Sequence, residues 1–488
     1  MFLGLDIGTS AVKAVLIDEG GAVTATASAA LAVQNPHPSW SEQEPEAWWD
    51  AVRSACADLS KTKGYDAIAA IGLSGQMHGA VCLDADHKPL RPAILWNDGR
   101  SAAQCAEMLA AMPEIGDIAG AIPMPGFTAP KLRWLSQNEP ETHAKIKHVL
   151  LPKDYVRLKL TGTLVTDMVD GAGTHWLDQA TRRWSDALCK VSATDPTWLP
   201  ECVEGIAVSG HLTGNAASAL GLQEGVPVAG GGGDAAAGAI GIGAVEDGDA
   251  FISLGTSGQL FVVTDSYRPN PESATHAYAH CVPDRWFQMA AMLNGASPIA
   301  WWANAVKAPI EEVLIEAKSA DPKRVPLFLP YLTGERTPLN DADIRGSFYG
   351  LGSDTGRAEM TQAVLDAIAY SFCDARDALA EGGSTINHPA VIGGGARSDH
   401  LLQTISDALG VRLKRYQDAE TGPAFGAARL AMIANGSGTI SDVITAPEVD
   451  REFAPNNAMA EHHAARLESY RGLYRTLKPF AKHEASVS

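Results

Sequence analysis

The sequence predicts an α/β protein made from a duplicated domain, and three observations carry that expectation. The chain has 488 residues, of which 46% are hydrophobic and 19% charged, enough to bury large cores in two or three domains. Strand-like apolar runs bounded by glycine turns are followed by helical patterns in both halves. Asp6-Ile7-Gly8-Thr9-Ser10 returns as Ser253-Leu254-Gly255-Thr256-Ser257, with apolar strands flanking both copies. Similarity at a separation near half the chain indicates domain duplication, not a short-period solenoid.

The elements follow in chain order. Residues 2–7 read as a strand, Gly8-Thr9-Ser10 as a turn, and Ala11 to Ile17 as a second apolar run. Asp18-Glu19-Gly20-Gly21 is a turn signal before a third run from Ala22 to Val33. Three runs joined by tight turns predict antiparallel strands opening a sheet. A helix is expected from Glu44-Pro45, with proline in its first turn, and Ile68 to Leu73 reads as the next buried strand. GVPVAGGGGD at 225–234 joins a short strand to a helix rich in alanine and glycine. The domain boundary is placed just beyond it, giving domains of residues 1–245 and 246–488. In Glu359 to Ala380, Met360, Val364, Ile368 and Phe372 share one helical face. Val391-Ile392 leads as a strand into Gly393-Gly394-Gly395, and Leu401, Ile405 and Leu409 mark the helix that follows. Leu467, Tyr470, Tyr474 and Leu477 predict a last amphipathic helix that ends before Pro479.

Charge excludes some functions. Lys and Arg number 38 against 57 Asp and Glu, a net charge of −19, which argues against duplex nucleic acid or an anionic membrane as partner. The seven cysteines include no C-x-x-C pair, which fits a reducing compartment and neither a disulfide scaffold nor a zinc knuckle. The opening MFLGLDIGTS lacks the basic region of a signal peptide. No run reaches the roughly 18 apolar residues of a membrane span. A cytoplasmic chain is expected.

The glycine turns carry the chemistry. Each Gly-Thr-Ser turn can expose successive N–H groups and form an anion-binding nest, although a plain hairpin turn is the simpler reading of either alone. The G-x-x-x-x-G-K-[ST] solution is absent, and so is G-x-G-x-x-G after the first strand. The two turns and GGGARSD at 393–399 together resemble the phosphate-1, phosphate-2 and adenosine motifs of the actin-like (ribonuclease H-like) ATPase fold. Within that fold, the chain resembles the FGGY carbohydrate kinases. Pro125 to Leu135, PGFTAPKLRWL, and Gly346 to Asp366, GSFYGLGSDTGRAEMTQAVLD, are similar to the two family signatures. Gly75-Gln76-Met77-His78-Gly79, Trp96-Asn97-Asp98-Gly99-Arg100 and Leu151-Pro152-Lys153-Asp154-Tyr155 look like its xylulose kinase branch. The resemblance spans Met1 to about residue 435.

It implies two actin-like domains with a cleft between them, the sugar mainly on the first and the nucleotide on the second, and ATP-dependent phosphorylation of D-xylulose. Another pentulose or polyol, such as ribulose, ribitol or glycerol, is the alternative. The partners expected are the sugar and ATP, with Mg²⁺; a homodimer is left open. Asp234 follows four glycines and precedes three alanines. A helix-capping aspartate is the plainer reading, and the resemblance implies the catalytic base, kept ionised by the helix N-terminus. Asp6, at a strand end, is the candidate Mg²⁺ ligand. Lys13 alternates onto one face of the second strand and could reach a phosphate. By resemblance Gly8, Thr9, Ser10, Gly255, Thr256, Gly394, Gly395, Ala396 and Asp399 surround the nucleotide. Met77 and His78 contact the sugar, Trp96 offers an apolar wall and Asp98 a hydroxyl acceptor. One residue departs from the pattern: Ala235 stands where the branch usually has asparagine.

Overall fold

The structure is a computed structural model describing residues 1–417 and 422–485. Its first sheet contains β1 (Phe2–Ile7), β2 (Ala11–Ile17), β3 (Val23–Ala30), β4 (Ala70–Gly75), β5 (Val208–His211), β6 (Pro227–Ala229) and β7 (Gly232–Gly233). The order is β3-β2-β1-β4-β6-β5, with β7 also paired to β4. Its second contains β8 (Asp249–Leu254), β9 (Gly258–Thr264), β10 (His276–Ala279), β11 (Trp286–Met292), β12 (Asn387–Ile392), β13 (Leu413–Tyr416) and β14 (Val449–Phe453), in the order β10-β11-β9-β8-β12-β13-β14.

The two sheets share one plan. Antiparallel strands, two in the first sheet and three in the second, lead to a central strand, which pairs in parallel with the next; a further parallel strand and an antiparallel edge strand complete the plan. The duplicated α/β architecture expected from the repeated turn is therefore present. Both central strands are apolar throughout most of their length, as strands covered on both faces must be. The strand expected at Ile68–Leu73 runs two residues later, Ala70–Gly75, so Ser74 and Gly75 still pair with Asp6 and Ile7.

One helix of the second half crosses to the first. Gly422–Ala434 lies on the first sheet, where Phe2, Val15, Ile17 and Ala70 pack with Ala424, Phe425, Ala428, Ala431 and Met432. The approach is close enough to demand glycine. A Cβ on Gly4 would sit 1.8 Å from the Ala424 carbonyl oxygen, one on Gly72 1.8 Å from that of Ala427, and one on Gly426 1.8 Å from that of Ala237. The last contact presses the helix against Asp234–Gly241, the helix that opens at the glycine run.

The final helix differs from the sequence expectation. It spans Ala460–Ala485, with Pro479 inside it. Proline removes one backbone donor and crowds the preceding turn, but Leu477 and Ala481, on either side of it, pack against the second core. Tyr470, Leu473 and Tyr474 enter the second core, Tyr470 and Tyr331 share a 2.6 Å hydroxyl contact, and the Tyr474 hydroxyl donates to Asp341 Oδ2 at 3.0 Å.

Candidate active site

A cleft of about 580 Å³ opens between the two sheets, lined by residues of both halves. Asp6 is the last but one residue of β1, and its register partner on β2 is Lys13. The carboxylate is nearly buried, and its Oδ1 has no hydrogen-bond partner among the described residues. Burial raises its pKa to about 7; the neighbouring charge of Asp234 adds to the rise and Lys13 opposes it. A buried carboxylate with an orphaned oxygen beside a second carboxylate is a fit for a divalent cation.

Asp234 is the first residue of its helix, with Gly233 in the capping position. Its Oδ1 accepts from the Ala235 N–H at 2.8 Å. The side chain is open to the cleft yet walled by protein. Desolvation raises its pKa, and the helix N–H groups only partly offset that. The helix N–H groups favour the charged form, and loss of water around the carboxylate is the larger influence.

Glycines bring Met77 and His78 toward Asp234. A Cβ on Gly233 would lie 2.5 Å from Met77 Cγ and Sδ, and one on Gly173 2.6 Å from Met77 Cε. His78 takes φ +69°, and its Nδ1 lies 2.6 Å from the Gly173 carbonyl. A carbonyl only accepts, so Nδ1 carries the proton and Nε2 is left as an acceptor. Burial lowers the His78 pKa to about 3, despite that bond, so the ring is neutral. Phe127 lies against it, 4.7 Å between ring centroids.

The support beneath His78 is charged and buried. Lys153 Nζ lies 2.5 Å from Asp154 Oδ1, 2.6 Å from Asp167 Oδ2 and 3.2 Å from Asp170 Oδ2. These three carboxylates are close enough to share a metal ion, and the ammonium already occupies that role. Asp167 caps the helix Met168–Gly173 by accepting from the Val169 and Asp170 N–H groups. The last carbonyl of that helix is the one that orients His78.

Trp96 is 40% exposed, placed in the cleft wall and not in a core, and its Nε1 donates to Thr9 Oγ1 at 3.0 Å. Thr9 Oγ1 in turn donates to Gln76 Oε1 at 3.1 Å. Asp98 differs from its expected part. Its carboxylate accepts from the Ser41 N–H and from the Arg100 N–H, Nε and Nη2, which fills the four or so acceptor positions of a carboxylate. It anchors the loop and leaves no capacity for a sugar hydroxyl in this conformation.

Ser10 and Lys13 on the first sheet and Thr256 across the cleft are exposed. The Gly255 and Thr256 carbonyls accept from the Ala296 and Gly295 N–H groups at 2.8 and 3.1 Å. Gly393 and Gly395 pack on this turn: a Cβ on either would come within 2.9 Å of Leu254, while Gly394 faces open space. Ala396 is buried. Asp399 opens the next helix, Asp399–Leu409, and its carboxylate pairs with Arg415 and Arg451. The repeated turn and the glycine loop thus form one contiguous edge of the second sheet.

The chain matches the FGGY family of carbohydrate kinases, its N-terminal domain over residues 1–241 and its C-terminal domain over residues 250–435. It belongs to that family. As a carbohydrate kinase it uses ATP and a sugar as substrates. It is 42% identical over 482 residues to a xylulose kinase of Escherichia coli (strain K12), covering 98% of this chain and 99% of that one. The crystal structure of a xylulose kinase from Brucella ovis superposes with a TM-score of 0.95 at 45% identity, covering 98% and 99% of the two chains. That of the xylulose kinase from Rhodospirillum rubrum gives 0.92 at 28% identity, covering 99% of each. Among the described residues, no helix of this kinase is long and apolar enough to cross a membrane.

The cleft also contains Gln259, His276, Met289, Glu335 and Arg336, which the sequence reading did not single out. They reach the cleft from strands and a loop of the second half, and for all but Gln259 no local spacing marks them. Ser253 and Gln259 could have been found as the register pair matching Asp6 and Lys13.

Proposed function

We propose that this kinase transfers the γ-phosphoryl group of ATP to the 5-hydroxyl of D-xylulose, giving D-xylulose 5-phosphate. The observation that carries the reading is the juxtaposition of Asp234, Met77 and the neutral His78 in one interdomain cleft, in a chain whose full-length relatives are xylulose kinases. Asp234 accepts the proton of the attacking hydroxyl. A base here acts late, because phosphoryl transfer passes through a loose transition state. His78 Nε2 accepts from a sugar hydroxyl, and the exposed Trp96 face covers the carbon skeleton.

Mg²⁺ bound with ATP would be held at Asp6, whose orphaned oxygen fits it, and would supply neutralisation of the phosphate charge. Lys13, Gly8, Thr9 and Ser10 on one side and Gly255, Thr256 and the 394–396 loop on the other bind the nucleotide. The seven cysteines are free thiols, which supports a cytoplasmic setting.

Ala235 lines the cleft next to Asp234, and its small side chain supports a second reading, preference for a different pentulose or polyol. The test is a panel of D-xylulose, D-ribulose, ribitol and glycerol with ATP and Mg²⁺, with the product identified by phosphorus NMR. The highest kcat/KM is expected for D-xylulose. A tenfold preference for another substrate would overturn the xylulose assignment.

A further inference from the structure

Two polar groups in the cleft have no role in the reading above. His276 is 5% exposed, and its Nδ1 makes no hydrogen bond among the described residues. Arg336 lines the same cleft, and its guanidinium makes no hydrogen bond or ion pair among the described residues. The adjacent Glu335 carboxylate does not serve it, being committed to the Leu293 and Arg336 N–H groups and to Asn294 Nδ2. Buried polar groups are ordinarily paired, and an unpaired one that faces a cleft is a candidate to meet a bound molecule.

Their placement is specific. Phe127 links the two imidazoles, its ring centroid 4.7 Å from that of His78 and 5.9 Å from that of His276, which sets His276 at the His78 end of the cleft, and the Arg336 charge bears on both rings. Burial, with Arg336 adding to it, lowers the His276 pKa to about 4 and keeps the ring neutral. A guanidinium only donates, and a neutral imidazole can exchange a hydrogen bond with a hydroxyl. A carbonyl oxygen next to a hydroxymethyl group matches that pair, and the end of an open-chain ketose remote from its 5-hydroxyl presents both.

We propose that His276 and Arg336 form the ketose-recognition site of this kinase, Arg336 donating to the C2 carbonyl and His276 bonding the C1 hydroxyl. The inference rests on the D-xylulose reading. Both residues belong to the second half of the chain, whereas His78 and Asp234 belong to the first, so the bound ketose ties the two halves together.

The test compares D-xylulose with 1-deoxy-D-xylulose on the wild type, His276→Phe and Arg336→Met, at saturating ATP and Mg²⁺. The wild type should favour D-xylulose by about 10- to 100-fold in kcat/KM, the range of one buried hydrogen bond to a polar or charged group. His276→Phe should bring that ratio close to one. Arg336→Met should raise the KM for both sugars by about tenfold or more and leave the KM for ATP unchanged. His276→Gln and Arg336→Lys replace any variant that fails to fold, and the wild-type ratio decides by itself if none folds. A wild-type ratio near one, or a ratio that persists in His276→Phe with sugar KM unaltered in Arg336→Met, would overturn the proposal. No turnover of D-xylulose by the wild type is a different result: it removes the xylulose reading, and this inference with it.

Discussion

In the proposed reaction two carboxylates, Asp234 and Asp6, carry the base and metal roles, and their surroundings set them apart. Asp234 has a helix N-terminus behind it and the open cleft in front. Asp234→Ala should lower kcat by about 10²–10⁴, the usual loss for a general base, and leave ATP binding intact. Equilibrium binding of a fluorescent ATP analogue, alongside a kcat measurement, checks both parts; more than a tenth of wild-type turnover would remove the base assignment. Asp6 is the buried partner with an unsatisfied oxygen. Asp6→Asn should shift the Mg²⁺ dependence of turnover to higher concentration and depress the maximum. Chelation of Mg²⁺ should abolish turnover of the wild type while leaving its melting temperature within a degree or two. An unchanged Mg²⁺ titration in the variant would reduce Asp6 to a turn residue.

At the scale of elements, the helix Gly422–Ala434 fastens the second half to the first sheet, and small residues let it approach. Gly72 is the sharpest case, because its missing Cβ would lie 1.8 Å from a backbone oxygen that cannot rotate away. Gly72→Ala should destabilise the protein by about 1–3 kcal/mol through overpacking, read as a lower urea midpoint. Gly221→Ala is a control with nothing within 4 Å, although its φ of +68° carries a smaller strain of its own. Equal midpoints for wild type and Gly72→Ala would mean that the helix lifts off the sheet at no cost.

For the whole molecule, acid stability should reflect its buried imidazoles. His280 has both ring nitrogens unpartnered and lies between Phe261 and Phe287. Burial, with Arg182 and Arg285 adding to it, lowers its pKa to about 3. In the unfolded chain it titrates near 6.5. Between about pH 6 and 4 the unfolded state therefore binds a proton that the folded state does not, and stability falls as pH falls. His78, His175 and His276 act with the same sign. Asp170, Glu335 and Asp374, with raised pKa values, act against them. His280→Phe should remove one proton from the balance and flatten the stability curve by about 1.4 kcal/mol per pH unit in that window. Urea midpoints at pH 7, 6, 5 and 4 measure it, and parallel curves for variant and wild type would contradict it.

The sequence by itself determined the strand–turn–strand openings, the duplication and the identity of the glycine turns, because each rests on residues adjacent in the chain. Gly8-Thr9-Ser10 and Gly255-Thr256-Ser257 are legible for that reason, as is Asp234 after its glycine run. Only the tertiary structure decided the contents of the cleft's far wall. His276 and Arg336 are separated from Asp234 by tens of residues and carry no periodic signal, so they become neighbours only when the second sheet is folded. The same holds where packing overrode local rules. Asp98 looks like a free acceptor until Arg100 and Ser41 close on it. Pro479 looks like a helix end until Leu477 and Ala481, on either side of it, pack against the second core. In each case the deciding energy is a long-range contact, which local sequence spacing does not encode.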